Sequence, residues 1–139
     1  MTATATILTA AAQQLHAAGV GIYRTNGRYS ADETGIVLKT LPTEPDRVIA
    51  LSTYQVDPDP DPNAQVDVAM LQIRTRGIPN PPTDVDDLAE AAVAALTGHH
   101  QDWPGLRIQR AHTVSTLPLG ADQNRRQERT DNLRLLILR

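Results

Sequence analysis

The chain of 139 residues has no cysteine and no phenylalanine, one tryptophan, three tyrosines and a single lysine, Lys39. Without cysteine there is no disulfide, no iron–sulfur ligation and no thiolate zinc site, and the redox state of the compartment leaves no mark on the sequence. Without phenylalanine the core must be filled by Leu, Ile, Val and Ala, with Trp103, Tyr23, Tyr29 and Tyr54 as the whole aromatic supply. No stretch provides the ~20 nearly continuous apolar residues of a membrane-spanning helix. No basic leader followed by an apolar segment opens the chain, so residence in the cytoplasm where it is made is the expectation. A positive excess is missing too: the net charge is -3, which disfavours a nucleic-acid binder.

What is there is ordinary globular composition, 40% hydrophobic and 21% charged, in a length that suits one domain over residues 1–139. Arginine outnumbers lysine twelve to one. High genomic GC content accounts for such a bias, and recruitment of the planar, bidentate guanidinium to interfaces is the sharper reading. The charge is also divided along the chain. Residues 1–103 hold 13 acids and 6 bases, whereas residues 104–139 hold 3 acids and 7 bases, so the two parts carry -7 and +4.

Apolar spacing from Thr6 to Ala18 predicts a helix stopped by Gly19, and Val85, Leu88, Ala89, Ala92, Val93 and Leu96 predict a second one opening at Thr83 with Asp84, Asp86 and Asp87 at the positive end of its dipole. Strands are predicted at 20–23, 35–41, 47–56, 64–76, 106–116 and 129–138. In the fourth, Val66, Val68 and Met70 face one way and Leu71 and Ile73 the other, which suggests a bulge or bend. The last strand is apolar on both sides and should be central or covered. The order α-β-β-β-β-α-β-β implies an α+β fold: a mixed, largely antiparallel sheet of about five to six strands with two helices packed on one face.

Chemistry-bearing patterns are sparse. His99, His100 and Asp102 could serve a small hydrolase or a metal, but adjacent histidines do not share a face as an i, i+4 pair does, and a surface loop is the simpler reading. Ser30 or Ser52 with His16 or His112 lacks a strained G-x-S-x-G turn. There is neither G-x-G-x-x-G nor a phosphate loop. The Asp57-Pro58-Asp59-Pro60-Asp61-Pro62 run must be loop, since proline cannot donate to a ladder, and it lacks the spacing of an EF-hand. Arg125, Arg126 and Arg129 have no interleaved aromatics, so base stacking is not expected; they suit phosphates or an acidic face on a neighbouring subunit.

Five segments, Tyr29–Leu41 (YSADETGIVLKTL), Pro45–Val56 (PDRVIALSTYQV), Gln72–Gly77 (QIRTRG), Asp84–Ala91 (DVDDLAEA) and Arg126–Leu133 (RQERTDNL), taken in order and spacing, resemble the small minor capsid or tail terminator proteins of long-tailed bacteriophages, especially those of actinobacteria. The chain departs from that pattern with Gln55 where proline is frequent and with Gln127 and Leu133 where aromatics are common.

The resemblance implies a structural virion protein without catalytic residues, cofactor or metal. It would form a homohexameric ring at the head-proximal end of the tail tube, contacting the major tail tube protein and a head completion or neck protein, and assembling in the host cytoplasm. A head-side neck or connector (minor capsid) subunit is the alternative. On this reading the expected contacts are Arg74, Arg76, Arg125, Arg126 and Arg129. The acidic loop of Asp57, Asp59 and Asp61 would face a partner or the lumen through which DNA passes without sequence readout.

Overall fold

The computed structural model describes residues 2–139. Thr2 opens α1 (Ala3–Ala17), its hydroxyl accepting the Ala5 N–H at 3.1 Å. The helix buries Ile7, Leu8, Ala11 and Leu15 along one stripe, and the chain leaves it through Gly19 at φ +77°, a conformation glycine adopts without a Cβ penalty. Two short strands follow, β1 (Ile22–Tyr23) and β2 (Gly35–Leu38), then two long ones, β3 (Val48–Asp57) and β4 (Val66–Arg76). After α2 (Asp84–Leu96) come β5 (Gly98–Trp103), β6 (Leu106–Ala121) and β7 (Gln127–Leu138).

All seven strands join one sheet in the order β1-β2-β3-β4-β7-β6-β5. The β1–β2 and β2–β3 pairings are parallel and the other four antiparallel. Along β4, Ala69, Leu71, Ile73 and Thr75 are buried, and across from them in β7 stand Leu135, Leu133 and Asp131, also buried. This face receives both helices in one core cluster that joins Leu8, Leu15, Leu88 and Leu96 to Ile49, Leu51, Leu71 and Leu133. Each fully buried Leu or Ile contributes about 1.5–3 kcal/mol, so aliphatic packing carries the fold in the absence of phenylalanine. The sheet curls, because α1 touches β1, β2 and β3 at one side and β5 and β6 at the other. The opposite face carries a polar ladder in which the Gln72 amide donates to Asn132 at 3.2 Å and the Asn132 amide to Ser115 at 2.9 Å.

The α+β class, the mixed and mostly antiparallel sheet and the single helix-covered face match the sequence reading, and β7 is central, between β4 and β6. The strand count does not: the described residues form seven strands, not five to six. The additional one is β5, where a loop was expected at His99 and His100. Its sequence, GHHQDW, has no apolar alternation because it is an edge strand with one free side. A two-residue turn at Pro104-Gly105 folds it onto β6, and Trp103, 2% exposed, anchors its end. The expected bulge in β4 is also absent; its register with β7 runs unbroken from Val66 to Arg76, and the irregularity lies in β3 between Thr53 and Gln55. Val66, Val68 and Met70 are apolar on the open face because Pro58 and Pro60 of the acidic loop border the groove they line.

Candidate assembly interface

Most of the arginines singled out by sequence are engaged within the chain. Arg76, 3% exposed, donates to the carbonyls of Asp46 (2.9 Å) and Pro45 (2.6 Å), and Arg126, 6% exposed, donates to the Thr43 carbonyl (2.6 Å) and to the carboxylates of Asp46 (3.2 Å) and Asp122 (2.8 Å). Two buried guanidiniums thus grip the segment 43–46 from β4 and from the β6–β7 turn. Burial, and then the charge of Arg126, hold the Arg76 guanidinium below its ordinary pKa. Arg129 forks onto Asp131 and reaches Asp86 on α2 at 3.0 Å, and both neighbours raise its pKa, Asp131 first. Arg74 pairs with Glu128 at 2.6 Å on the open face. Arg125 differs from the rest: it is exposed at φ +60° in the β6–β7 turn and has no carboxylate partner among the described residues.

The acidic loop is shaped by its own carboxylates. Asp59 and Asp61 accept the backbone N–H groups of Asp61 and Asn63, each at 2.9 Å, and Asp57 accepts from the Gln55 amide. Arg139 staples the loop by donating to Asp67 and to the Asp59 and Asp61 carbonyls. That leaves the side chains of Asp57, Asp59 and Asp61 exposed and without a cation partner among the described residues. They form one acidic corner beside the groove that also contains Arg134.

His99, His100 and Asp102 lie on β5, His100 at φ +53°, and the Asp102 carboxylate is 3.9 Å from an exposed Arg107. Among the described residues no group of three or more His, Asp or Glu is arranged to hold a metal. His112, on the open face of β6, has a buried Nδ1 with no hydrogen-bond partner. Burial, then Arg110, Arg134 and His99, push its pKa down.

The feature that sequence reading missed is the outer half of β6. Only Leu106–Ala111 are covered by β5, so from His112 to Ala121 the strand has β7 on one side and no strand on the other. Among the described residues, the exposed large hydrophobics Val114 (52%), Leu117 (57%) and Leu119 (43%) lie here, and Tyr54 lies elsewhere. The strand was expected to end at Thr116, yet it runs on through Pro118 to Ala121; proline within a strand marks an edge. At the other side of the sheet, β1 covers β2 only as far as Ile36, and the edge beyond it borders a groove of about 340 Å³ lined by Tyr23, Val37, Leu38 and Pro42 together with Thr40 and the polar turn 24–27.

Two sheet edges thus stand open over part of their length, and one of them carries exposed apolar side chains of the kind that pair with other chains. A profile of the family described as bacteriophage tail terminator protein matches residues 14–139, and the chain belongs to that family, which makes it a structural component of a phage virion. Among solved structures, a chain in the virion of a native gene transfer agent particle shares the fold with a TM-score of 0.68 at 17% identity, over 100% of both chains. No curated protein sequence matches the chain.

Proposed function

We propose that the protein, acting as a single domain over residues 1–139, is a tail terminator subunit. It closes into a homohexameric ring at the head-proximal end of the tail tube, stops tube growth at its final length and presents a surface to the head completion proteins. Its work is binding and shape, not catalysis. The family match over residues 14–139 is the observation that carries this reading. Bare sheet edges support it, because a closed ring of identical subunits covers each edge with a neighbour.

Within that ring Arg125 and Arg74 are proposed as direct contacts, since their side chains reach solvent. Arg76, Arg126 and Arg129 serve the same surface by fixing segment 43–46 and the β6–β7 turn beneath it. The exposed carboxylates of Asp57, Asp59 and Asp61 face the lumen or a partner, where negative charge keeps passing DNA from sticking. The test is tail length in particles assembled without this chain. Overlong tubes that fail to join heads are expected, and a normal length distribution with joined heads would count against the proposal.

A further inference from the structure

Two positions at opposite ends of one cross-strand row carry a more specific conclusion, which rests on the ring reading above. Val37 of β2 stands opposite Ala50 of β3, Ala50 opposite Arg74 of β4, Arg74 opposite Thr130 of β7, and Thr130 opposite Leu117 of β6. At this level the sheet is five strands wide, since β1 ends at Tyr23 beside Ile36 and β5 covers β6 only to Ala111. With ~4.8 Å between neighbouring strands, the two bare edges lie about 19 Å apart across the sheet. Pairing directions make β6 antiparallel to β2. A β6 edge laid against the β2 edge of a second copy therefore continues the antiparallel ladder.

We propose that the outer edge of β6, through Val114, Leu117 and Leu119, docks head to tail on the β1–β2 edge of a second copy of this chain. There the leucines enter the groove formed by Tyr23, Val37, Leu38 and Pro42. The occupant is a second copy because one chain presents both halves of the contact: projecting apolar side chains on one sheet edge and, on the other, a recess in which Tyr23, Val37, Leu38 and Pro42 sit beside the polar 24–27 turn and Thr40. The two surfaces also match in charge. Residues 112–121 contain no Asp, Glu, Lys or Arg, and the groove's one charged lining residue, Arg24, is already held by Glu33 at 2.6 Å. Two different patches used in this way give a heterologous contact, which generates a ring when the rotation between copies closes. The curl of the sheet supplies a rotation at each step. Pro118 removes one donor from the edge, so the ladder is short and side-chain burial dominates the contact.

The cysteine-free chain makes the test direct. Leu117→Cys and Val37→Cys are prepared separately, mixed in equal amounts and treated with a short bis-maleimide. Cross-linked dimers are expected from the mixture and not from either variant alone, and the double variant should give a ladder that stops at a closed ring. Cross-linking of Leu117→Cys with itself would overturn the proposal in favour of a two-fold edge pairing. No cross-link in samples whose scattering mass is a multiple of 15.1 kDa would overturn this surface and leave the ring standing. A wild-type chain that stays at 15.1 kDa with no cross-link, and that is recovered on tail tubes without any multimer, would overturn both. As a second measurement, Leu117→Lys combined with Leu119→Lys should reduce the multimer to the single-chain mass while the far-UV circular dichroism spectrum and a cooperative melt are kept, because both side chains are exposed in the single chain. An unchanged multimer would contradict the docking.

Discussion

Arg129 and Asp131, two residues apart on β7, are joined by a fork: Nε donates to one carboxylate oxygen and Nη2 to the other, each at 3.0 Å. Asp131 is 1% exposed and also accepts the Thr116 hydroxyl at 2.8 Å, while the remaining arm of Arg129 holds Asp86 in the first turn of α2. The pair therefore ties β6, β7 and α2 together beneath the helix. Removing one partner of a buried pair strands the other, so Asp131→Ala should lower unfolding stability by about 3–5 kcal/mol. Urea denaturation with an unchanged m-value is the check, and a loss under about 1 kcal/mol would mean the pair is open to water.

Arg125 and Arg126 are neighbours with opposite expected behaviour. Arg125→Glu changes an exposed turn residue and should alter stability by no more than about 0.5 kcal/mol, so any effect it has on assembly reports contact. Arg126→Glu puts a carboxylate where Asp122, Asp46 and the Thr43 carbonyl converge, and it should destabilise the chain by about 3 kcal/mol or more. Thermal melts of the two variants, run beside their scattering masses, separate folding from docking.

Gly77 follows β4 at the point where α2 crosses it. A Cβ there would stand 2.5 Å from the Val85 nitrogen and 2.9 Å from its Cα, both backbone atoms that no rotamer change can move. Gly77→Ala should therefore cost about 1–3 kcal/mol, whereas a substitution in open solvent costs little. The denaturation midpoint measures it, and wild-type stability would show that α2 shifts freely over the sheet.

Acid should weaken the fold in two windows. Two hydrogen bonds from Arg24, then the Ser30 N–H, hold Glu33 at about 2 against an ordinary 4.5. The unfolded chain takes up that proton first, so the stabilisation is whole above pH 4.5 and is lost as pH falls towards 2. Burial, then Arg110, Arg134 and His99, lower the pKa of His112 below its ordinary 6.5. Its unfolded form protonates first as pH drops through about 6.5, so stability declines below that value. Glu33→Gln should flatten the lower window and His112→Asn the upper one in stability measured against pH.

Both helices were legible because their apolar residues recur at helical spacing and their ends carry Gly19 and the acidic first turn at Asp84. The central strands were legible for the same reason at period two. β5 was not, since an edge strand with a solvated side needs no alternation, and what holds it is a turn and the single buried Trp103. In the candidate site, residue type alone suggested that Arg76, Arg126 and Arg129 face outward. Their partners, the carbonyls of Thr43, Pro45 and Asp46 and the carboxylates of Asp86 and Asp122, become apparent only when the strands are in register. The Arg129–Asp131 spacing was readable, because residues i and i+2 of a strand share a face. The free edge of β6 was not legible, because which residues β5 leaves uncovered depends on strand pairing, and Pro118 gives no alternation signal for the strand's outer part.

The proposed self-assembly is tested most directly by the mass of the protein in solution. Light scattering across a concentration and salt series should give one plateau at six times the 15.1 kDa chain mass. A mass of 15.1 kDa at every concentration, with none recovered as a multimer on tail tubes, would contradict the account.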